Sequence, residues 1–274
     1  MEALFELPPH NFEKILPLYL SEEKIFPLIL AVVRQKQRGW VFVNDSIQPA
    51  SALVINNFGF MQFIGIKDID DRLINFFGSP KASMPSYLLC YSPPPQIQKM
   101  LDDFPEQQVR RRERVRFAFN QPINRDKAKY PSGYEVQLLT EELIRITTHF
   151  QLDLGTRFWA STTDFLEHGI GIGVVKDGAV VSLCYSACVV DKLAEIDIVT
   201  QGQHRGLGLA KIAAQAFINE CIRRGITPTW DCFTSNTASM QLARQLGFEE
   251  TYAYFLYSFN LPINLLTKVP EVSQ

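Results

Sequence analysis

The chain is 274 residues long and contains 46% hydrophobic and 20% charged residues, a balance typical of globular proteins and unlike that of disordered chains. Its formal net charge of −2 and sequence pI of about 6.1 give no electrostatic reason to expect nucleic acid or an anionic membrane surface as a partner. The five cysteines include no C-x-x-C pair, so we expect reduced thiols and a cytoplasmic location. No apolar run approaches the ~20 residues of a membrane-spanning helix, and the acidic start, MEALFELPPHNFEK, is not typical of a secretory signal.

The first half of the chain is predicted to mix short helices and strands, because its apolar runs are separated by glycine, proline and asparagine. In chain order, the predicted elements are helices at Phe12–Leu20 and Glu22–Gln35, strands at Trp40–Asn44, Ala52–Asn56 and Phe60–Ile64, a helix at Asp70–Phe77, a strand at Tyr87–Tyr91, a helix at Gln96–Phe104 and a strand at Val109–Asn120. The polar segment Gln121–Tyr134, with two prolines and a glycine, is the predicted linker. It divides the chain into predicted domains 1–128 and 129–274.

The second half predicts an α/β fold with a mixed sheet and helices on both of its faces. In chain order, the predicted elements are a strand at Glu135–Leu139, helices at Thr140–Phe150 and Thr162–His168, a hairpin at Gly169–Val189 with an Asp-Gly turn, a strand at Glu195–Thr200, a helix at Leu209–Arg224, a strand at Thr227–Phe233, a helix at Asn236–Leu246 and a strand at Thr251–Phe259. Asp-Gly is a typical hairpin turn, and glycines follow the two later helices as C-terminal stops.

The junction between the Glu195–Thr200 strand and the following helix is the most informative part of the sequence. Its loop carries Gly206 and Gly208, which have no Cβ to obstruct a ligand. The first N–H groups of a helix lack intrahelical partners, and the helix dipole adds roughly half a positive charge at that end. The junction therefore predicts an anion site that suits a phosphate group.

Two motifs in the second half resemble the GNAT superfamily of acyl-CoA-dependent N-acyltransferases. The family pattern Arg/Gln-x-x-Gly-x-Gly/Ala is matched by Arg205-Gly206-Leu207-Gly208-Leu209-Ala210, and Gln203-x-x-Gly206-x-Gly208 is an alternative register. We prefer the Arg205 register because the preceding strand then ends at Thr200, five residues before the motif begins, which is the usual spacing in this family. The later helix, Asn236 to Gly247-Phe248, carries the second motif. The resemblance covers roughly residues 133–260.

The resemblance implies a GNAT fold in the second half and acetyl-CoA as cosubstrate, with no metal. The strands at Glu195–Thr200 and Thr227–Phe233 splay apart in this fold, and the cofactor lies between them. The implied cofactor contacts are the strand backbone at Ile198, Val199 and Thr200, the phosphate loop at Arg205, Gly206, Leu207, Gly208, Leu209 and Ala210, and the later residues Asn236 and Ser239.

Direct attack of an amine on a thioester needs a group to take up a proton and a group to return one to the thiolate. Glu195 and Asp197 lie on one face of their strand by period-two alternation, so each is a candidate base. The alternative for either carboxylate is to order the loop or cap a helix. Many family members carry a tyrosine where this chain has Ala243.

Tyrosines on the last strand are the candidate replacements for that missing acid, and Tyr252 and Tyr254 are the two we predict as catalytic. Tyr257 and Ser239 are further candidates, and solvent is an alternative proton source. For each tyrosine, the competing interpretation is sheet packing with a satisfied hydroxyl.

The first half follows an element order similar to that of the second, which predicts either a degenerate GNAT-like module or an unrelated α+β cap. Three aspartates in Gly65–Arg72, where the phosphate loop would fall, predict that this half does not bind acyl-CoA. The arginine-rich run Arg110–Arg116 is interpreted as a solvated or interdomain strand rather than a nucleic-acid patch.

The predicted function is acetyl transfer from acetyl-CoA to an amine of a small molecule or, as a lesser candidate, of a peptide. The alternative is a CoA-binding sensor or scaffold with little or no catalysis. Expected partners are the amine substrate, without nucleic acid or membrane, and a homodimer is an open alternative to a monomer.

Overall fold

The computed structural model describes residues 3–120, 131–147, 150, 152–154 and 156–265. These residues form two compact units. Unit 1 contains the residues up to Arg114 together with those from Tyr254 onward, and unit 2 is Val115–Ala253. These bounds differ from the predicted division at residues 128 and 129, and most of the predicted linker at Gln121–Tyr134 lies outside the described residues.

Unit 1 is a mixed sheet with helices packed against it. Its elements in chain order are β1 (Phe5–Glu6), a 3₁₀ helix (Pro9–Ile15), α1 (Leu16–Leu20), α2 (Pro27–Val33), β2 (Gly39–Val43), β3 (Ala52–Asn56), β4 (Phe60–Ile64), α3 (Asp71–Gly78), β5 (Tyr87–Tyr91), α4 (Pro95–Asp102) and the first part of β6 (Val109–Phe119). The last part of β12 (Phe248–Asn260) also belongs to it. A core on one face joins α3 and α4 to the strands through side chains such as Leu73, Phe77 and Leu101.

Unit 2 is a second mixed sheet, with apolar cores on both faces. Its elements are the last part of β6, β7 (Glu135–Leu138), α5 (Glu141–Arg145), α6 (Thr162–His168), β8 (Gly171–Lys176), β9 (Ala179–Val190), β10 (Leu193–Thr200), a 3₁₀ helix (Gly202–His204), α7 (Leu209–Arg223), β11 (Thr227–Phe233), α8 (Thr237–Gln245) and the first part of β12. One core packs α7 and α8 on the sheet through Phe217 and Ala243. The opposite core includes Ile144 of α5 and Phe165 of α6. The predicted mixed sheet with helices on both faces is confirmed.

The two units repeat one topology. In unit 1 the strand order is β1-β2-β3-β4-β5-β12, and in unit 2 it is β6-β11-β10-β9-β8-β7. In both units, four consecutive strands pair antiparallel, β1 to β4 and β7 to β10. A helical crossover then leads to a parallel neighbour, from β4 to β5 through α3 and from β10 to β11 through α7. In each unit, the strand next to the parallel pair comes from the other half of the chain. In unit 1 this strand is β12, which lies beside β5, and in unit 2 it is β6, which lies beside β11.

Most predicted bounds agree with the structure to within one or two residues. The largest differences among the helices are at α2, predicted from Glu22 but starting at Pro27, and at α5, predicted to reach Phe150 but ending at Arg145. Proline is favourable in the first turn of a helix because its missing N–H is not needed there, and Phe26 before it has an extended backbone. The two-residue strand β1 was not predicted from the sequence, because two residues are too few for a periodic pattern.

Candidate active site

A fork between two parallel strands forms the centre of the candidate site. Strands β10 and β11 pair at only three positions, and the last of these joins Glu195 to Thr229. Beyond it, β10 continues to Thr200 while remaining paired with β9 on its other edge, and β11 continues to Phe233. The splayed strands that the sequence resemblance predicts are therefore present in unit 2.

The glycine loop lies directly after β10 and leads into α7. Gly206 and Gly208 have φ values of 79° and 75°, in the left-handed region that glycine adopts without steric cost. A Cβ at either position would meet no atom within 4 Å, so the backbone here faces open space. Gly208 is the N-cap of α7, and no side chain caps this helix. The first N–H groups of a 15-residue helix are thus left for an anion.

The remaining predicted cofactor contacts occupy defined places around this loop. Arg205 turns back to β10, where its Nε donates a hydrogen bond to the carbonyl of Thr200 at 3.2 Å. Asn236 is the N-cap of α8, because its Oδ1 accepts from the N–H of Ser239 at 3.1 Å. The hydroxyl of Ser239 accepts from Trp230 Nε1 at 3.1 Å. Asn236 and Ser239 therefore stabilise the start of α8 in this structure, and their contact with a cofactor stays a prediction.

Glu195 lies at the closed end of the fork in a buried charged cluster. Its side chain accepts hydrogen bonds from Arg116 Nη1 at 2.9 and 2.7 Å and from the hydroxyl of Thr229 at 2.6 Å. Asp231 lies 3.7 Å from the same Arg116 nitrogen. Glu195 is 5% exposed and Arg116 is 7% exposed. Burial is the main cause that raises the pKa of Glu195 above its ordinary range. Of the two neighbouring charges, Arg116 lowers this pKa and Asp231 raises it.

Asp197 lies two residues further along the same strand in a more open environment. It lies on the strand face opposite Ile196, which packs in the core with α7, so the predicted common face for Glu195 and Asp197 is present. Its Oδ2 accepts a hydrogen bond from the Tyr185 hydroxyl at 2.7 Å, and its Oδ1 accepts from the N–H of Ile198 at 2.9 Å. The guanidinium of Arg157 is 3.8 Å away. The Asp197 side chain is 35% exposed, so it can reach a bound molecule.

The candidate acids on the last strand have different surroundings. Tyr252 is half-buried and belongs to unit 2. Tyr254 belongs to unit 1, is 4% exposed and packs against the ring of Tyr91 at a centroid distance of 4.4 Å. Tyr257 is buried and donates a hydrogen bond to Asp102 at 2.8 Å. Ala243 is buried in the core of unit 2, so a side chain at this position would point into that core.

Five residues that the sequence analysis did not select surround the two carboxylates: Arg116, Thr229 and Asp231 around Glu195, and Tyr185 and Arg157 around Asp197. The interpretation of the Arg110–Arg116 run as a solvated strand is wrong for Arg116, which is buried within unit 2 because the strand enters that unit's core at Val115. Alternation along Thr229-Trp230-Asp231 was a usable signal, since it places the two polar residues on one face.

The cysteines and acidic residues offer no further centre in the part of the chain that is described. All five cysteines are free and buried, and burial raises the pKa of Cys221 to about 12, which disfavours the reactive thiolate. The described residues contain no group of three or more His, Cys, Asp or Glu side chains placed to hold a metal ion. None of the described helices is long and apolar enough to cross a membrane.

Comparisons with known proteins bear out the family resemblance. The family model for GNAT acetyltransferases matches residues 20–257, a longer span than the motifs alone indicated. A Bacillus subtilis (strain 168) protein described as the uncharacterized N-acetyltransferase YdfB is 27% identical over 262 residues, which cover 94% of this chain and 99% of that protein.

Solved structures share the fold over nearly the whole chain. A GCN5-related N-acetyltransferase-like protein from Streptococcus suis 89/1591 superimposes with a TM-score of 0.72 at 23% identity, over 92% of this chain and 99% of its own. A tandem GNAT protein from the clavulanic acid biosynthesis pathway superimposes with a TM-score of 0.63 at 12% identity, over 94% and 98% of the two chains. Since the family model alone matches most of the sequence, the chain belongs to the GNAT acetyltransferase family.

Proposed function

We propose that this protein transfers an acetyl group from acetyl-CoA to an amine of a small molecule, with a peptide amine as the lesser candidate. The observation that carries the proposal is the fork between β10 and β11, which ends pairing at Glu195 and Thr229 and stands beside the uncapped start of α7. An open strand edge suits the amide groups of a pantetheine arm, and a helix N-terminus suits a pyrophosphate.

The residues present fit such a cofactor. The backbone of Ile198, Val199 and Thr200 would pair with the pantetheine arm, and the loop from Arg205 to Ala210 would hold the pyrophosphate. The left-handed Gly206 and Gly208 keep the space above this loop clear, while Asn236 and Ser239 at the start of α8 would contact the far half of the cofactor. Bound acetyl-CoA supplies an acetyl thioester, whose carbonyl carbon bonds to the amine nitrogen as the carbon–sulfur bond breaks and the thiolate takes up a proton.

The geometry favours Asp197 over Glu195 as the group that faces the amine. Asp197 is partly exposed and is held in one orientation by Tyr185 and the Ile198 N–H. Glu195 is buried with its carboxylate engaged by Arg116 and Thr229. We propose that Asp197 holds the ammonium and receives its proton, and that Glu195 fixes the end of the fork.

Tyr252 is the favoured candidate for returning a proton to the thiolate, because its side chain is only half-buried. Tyr254 is nearly inaccessible and packed against Tyr91, which favours a packing role for it. Solvent remains the alternative source of this proton, since a thiolate needs little assistance to leave.

We also propose that one acetyl-CoA binds per chain, at unit 2. In unit 1 the helix at the equivalent place in the topology, α3, is capped by Asp70, whose side chain accepts from the N–H of Leu73 at 3.0 Å. The carboxylate thereby occupies the place that an anion takes at an uncapped helix, and Asp71 in the first turn adds a second negative charge. Unit 1 is then a degenerate GNAT-like module without a cofactor.

Two measurements test the proposal. Isothermal titration with acetyl-CoA should give a stoichiometry of about one per chain, and thiol release should follow when acetyl-CoA is mixed with an acceptor amine. Absence of CoA binding would refute the proposal. Binding without acetyl transfer to any small amine or peptide would instead favour a CoA-responsive sensor.

A further inference from the structure

We propose that Asp197 and Arg157 together form an acceptor subsite, and that the acceptor is an α-amino acid, with a carboxylate next to the amine that is acetylated. This inference rests on the proposed acetyl transfer and adds the substrate class. It starts from a pair of opposite charges, both partly exposed, on the face of β10 next to the predicted cofactor-binding backbone.

The backbone at Arg157 makes contacts that anchor it. Its own N–H bonds to the carbonyl of Asp153 at 2.8 Å. Leu154 and Trp159 on either side are buried, and Trp159 Nε1 donates to the carbonyl of Ser186 on β9 at 3.0 Å. These contacts hold the backbone at Arg157 near β9 and β10, and a preorganised group binds at a lower entropic cost.

The pair differs from a purely structural salt bridge. The distance between Arg157 Nη2 and Asp197 Oδ2 is 3.8 Å, which is too long for a hydrogen bond. The short hydrogen bonds to Asp197 come instead from Tyr185 and the Ile198 N–H, at 2.7 and 2.9 Å. Arg157 and Asp197 side chains are 29% and 35% exposed. By contrast, the buried Arg116–Glu195 pair has contacts of 2.7 and 2.9 Å.

This arrangement matches the charges of a zwitterion. An ammonium suits the fixed Asp197 carboxylate, and an adjacent ligand carboxylate suits the Arg157 guanidinium, which can bind it through two parallel N–H groups. A zwitterion therefore brings a charge of opposite sign to each of the two side chains. A ligand with several amines and no carboxylate would meet repulsion at Arg157.

The neighbouring side chains are apolar, which suits the remainder of an amino acid. The ring of Phe158 has its centroid 5.2 Å from the Arg157 guanidinium carbon. Phe158 and Val199 are partly buried hydrophobic residues that pack against the core on this face of the sheet. We therefore expect amino acids with apolar side chains to be preferred over charged ones.

The test compares acceptors that differ only in the carboxylate. Acetyl transfer by the full chain is measured with the protein amino acids and their decarboxylated amines, for example L-leucine against isoamylamine and L-phenylalanine against phenethylamine. Binding of the same compounds to the CoA-loaded protein is measured by calorimetry, so that a readout without turnover is available. We expect at least one amino acid to exceed its amine in kcat/KM by about 10- to 100-fold, the range for a hydrogen-bonded charge.

Variants of Arg157 test whether its guanidinium binds the carboxylate of the acceptor. Arg157→Gln should raise KM and Kd for the amino acid about 10- to 100-fold while leaving the values for the amine nearly unchanged. Arg157→Lys should restore part of the loss, since it retains the charge without the planar fork. Arg145→Gln, at an exposed arginine of α5, is the matched control and should leave KM and Kd unchanged for both the amino acid and the amine.

The outcomes separate this inference from the proposed function. Equal use of amino acid and amine, or an equal loss for both in Arg157→Gln, would overturn the amino-acid subsite while acetyl transfer still stands. Arginine-dependent amino-acid binding without acetyl transfer would support the subsite and contradict the transferase proposal.

Discussion

Arg116 Nη1 contacts both carboxylate oxygens of Glu195, at 2.9 and 2.7 Å, although 79 residues separate them in the sequence. In the strand order of unit 2, β11 lies between the strands that carry them, so the contact spans three neighbouring strands. Thr229 and Asp231 of the middle strand join the same cluster. The cluster fixes the strands at the point where β10 and β11 cease to pair.

Replacing the cation of this cluster should cost much of the protein's stability. Arg116→Met removes the cation that Glu195 and Asp231 face in this cluster, and removing one side of a buried ion pair costs about 3–5 kcal/mol. Urea denaturation followed by circular dichroism measures the loss. Arg110→Met, at an exposed position of the same strand, should stay within about 0.5 kcal/mol of the wild type. Similar losses in both variants would contradict the structural role of the cluster.

The buried carboxylate should also give a measurable pH dependence. Because the folded-state pKa of Glu195 is raised, mainly by burial, the folded state binds its proton more tightly than the unfolded state does. The resulting stability is present below about pH 4.5 and is lost as pH rises through the folded value. Glu195→Gln cannot ionise, so its free energy of unfolding should increase relative to wild type as pH rises, by about 1.4 kcal/mol for each tenfold difference in proton affinity. If the difference in free energy of unfolding between Glu195→Gln and wild type is constant from pH 4.5 to 9, the raised pKa of Glu195 is contradicted.

A second carboxylate predicts the opposite trend at acid pH. Glu220 on α7 accepts hydrogen bonds from Arg223 and Arg224 at 2.6–2.7 Å, and those from Arg223 are the leading cause that lowers its pKa to about 2. The contribution of ionised Glu220 to folding stability is present above about pH 4.5 and is lost as pH falls toward 2. Glu220→Gln should therefore cost about 1 kcal/mol at pH 7, after allowing for solvent screening, and less at pH 3. Glu167→Gln, on the exposed surface of α6, is the control that should show no such convergence.

The glycine loop can be tested by a pair of variants with equal backbone strain. Gly208 and Gly178 have φ values of 75° and 77°, and a Cβ at either would meet no atom within 4 Å. Alanine at each position should cost about 1–2 kcal/mol of stability through the left-handed conformation. Only Gly208→Ala should weaken CoA binding in a calorimetric titration, because Gly178 lies in the β8–β9 turn. Equal CoA affinity in the two variants would place the cofactor elsewhere.

The assignment of the proton acceptor predicts an order of activities. Asp197→Asn should lower kcat/KM for acetyl transfer by about 10²- to 10⁴-fold, the usual effect of losing a general base, and Glu195→Gln should lower it less. Asp177→Asn is the control, since asparagine also suits the Asp-Gly hairpin turn. The rates are followed by thiol release. A larger loss in Glu195→Gln would move the role to Glu195.

Local features of the fold followed from the sequence with good accuracy. Strands β3, β4, β5 and β11 and helix α6 have the predicted bounds, because each is an apolar or amphipathic run with clear turn or cap residues at its ends. The predicted bounds of α2 were less accurate, since proline can start a helix as well as interrupt one.

The sequence by itself determined the family, the glycine loop before α7 and the face shared by Glu195 and Asp197, because glycine conformation, helix starts and strand alternation depend on neighbouring residues. Only the tertiary structure decided the partners of those carboxylates. Arg116 reaches Glu195 because β6, from the first half of the chain, stands beside β11 in the strand order of unit 2. Glu195 is buried and pairs with Arg116, whereas Asp197 stays accessible. Alternation along a single strand cannot specify this difference.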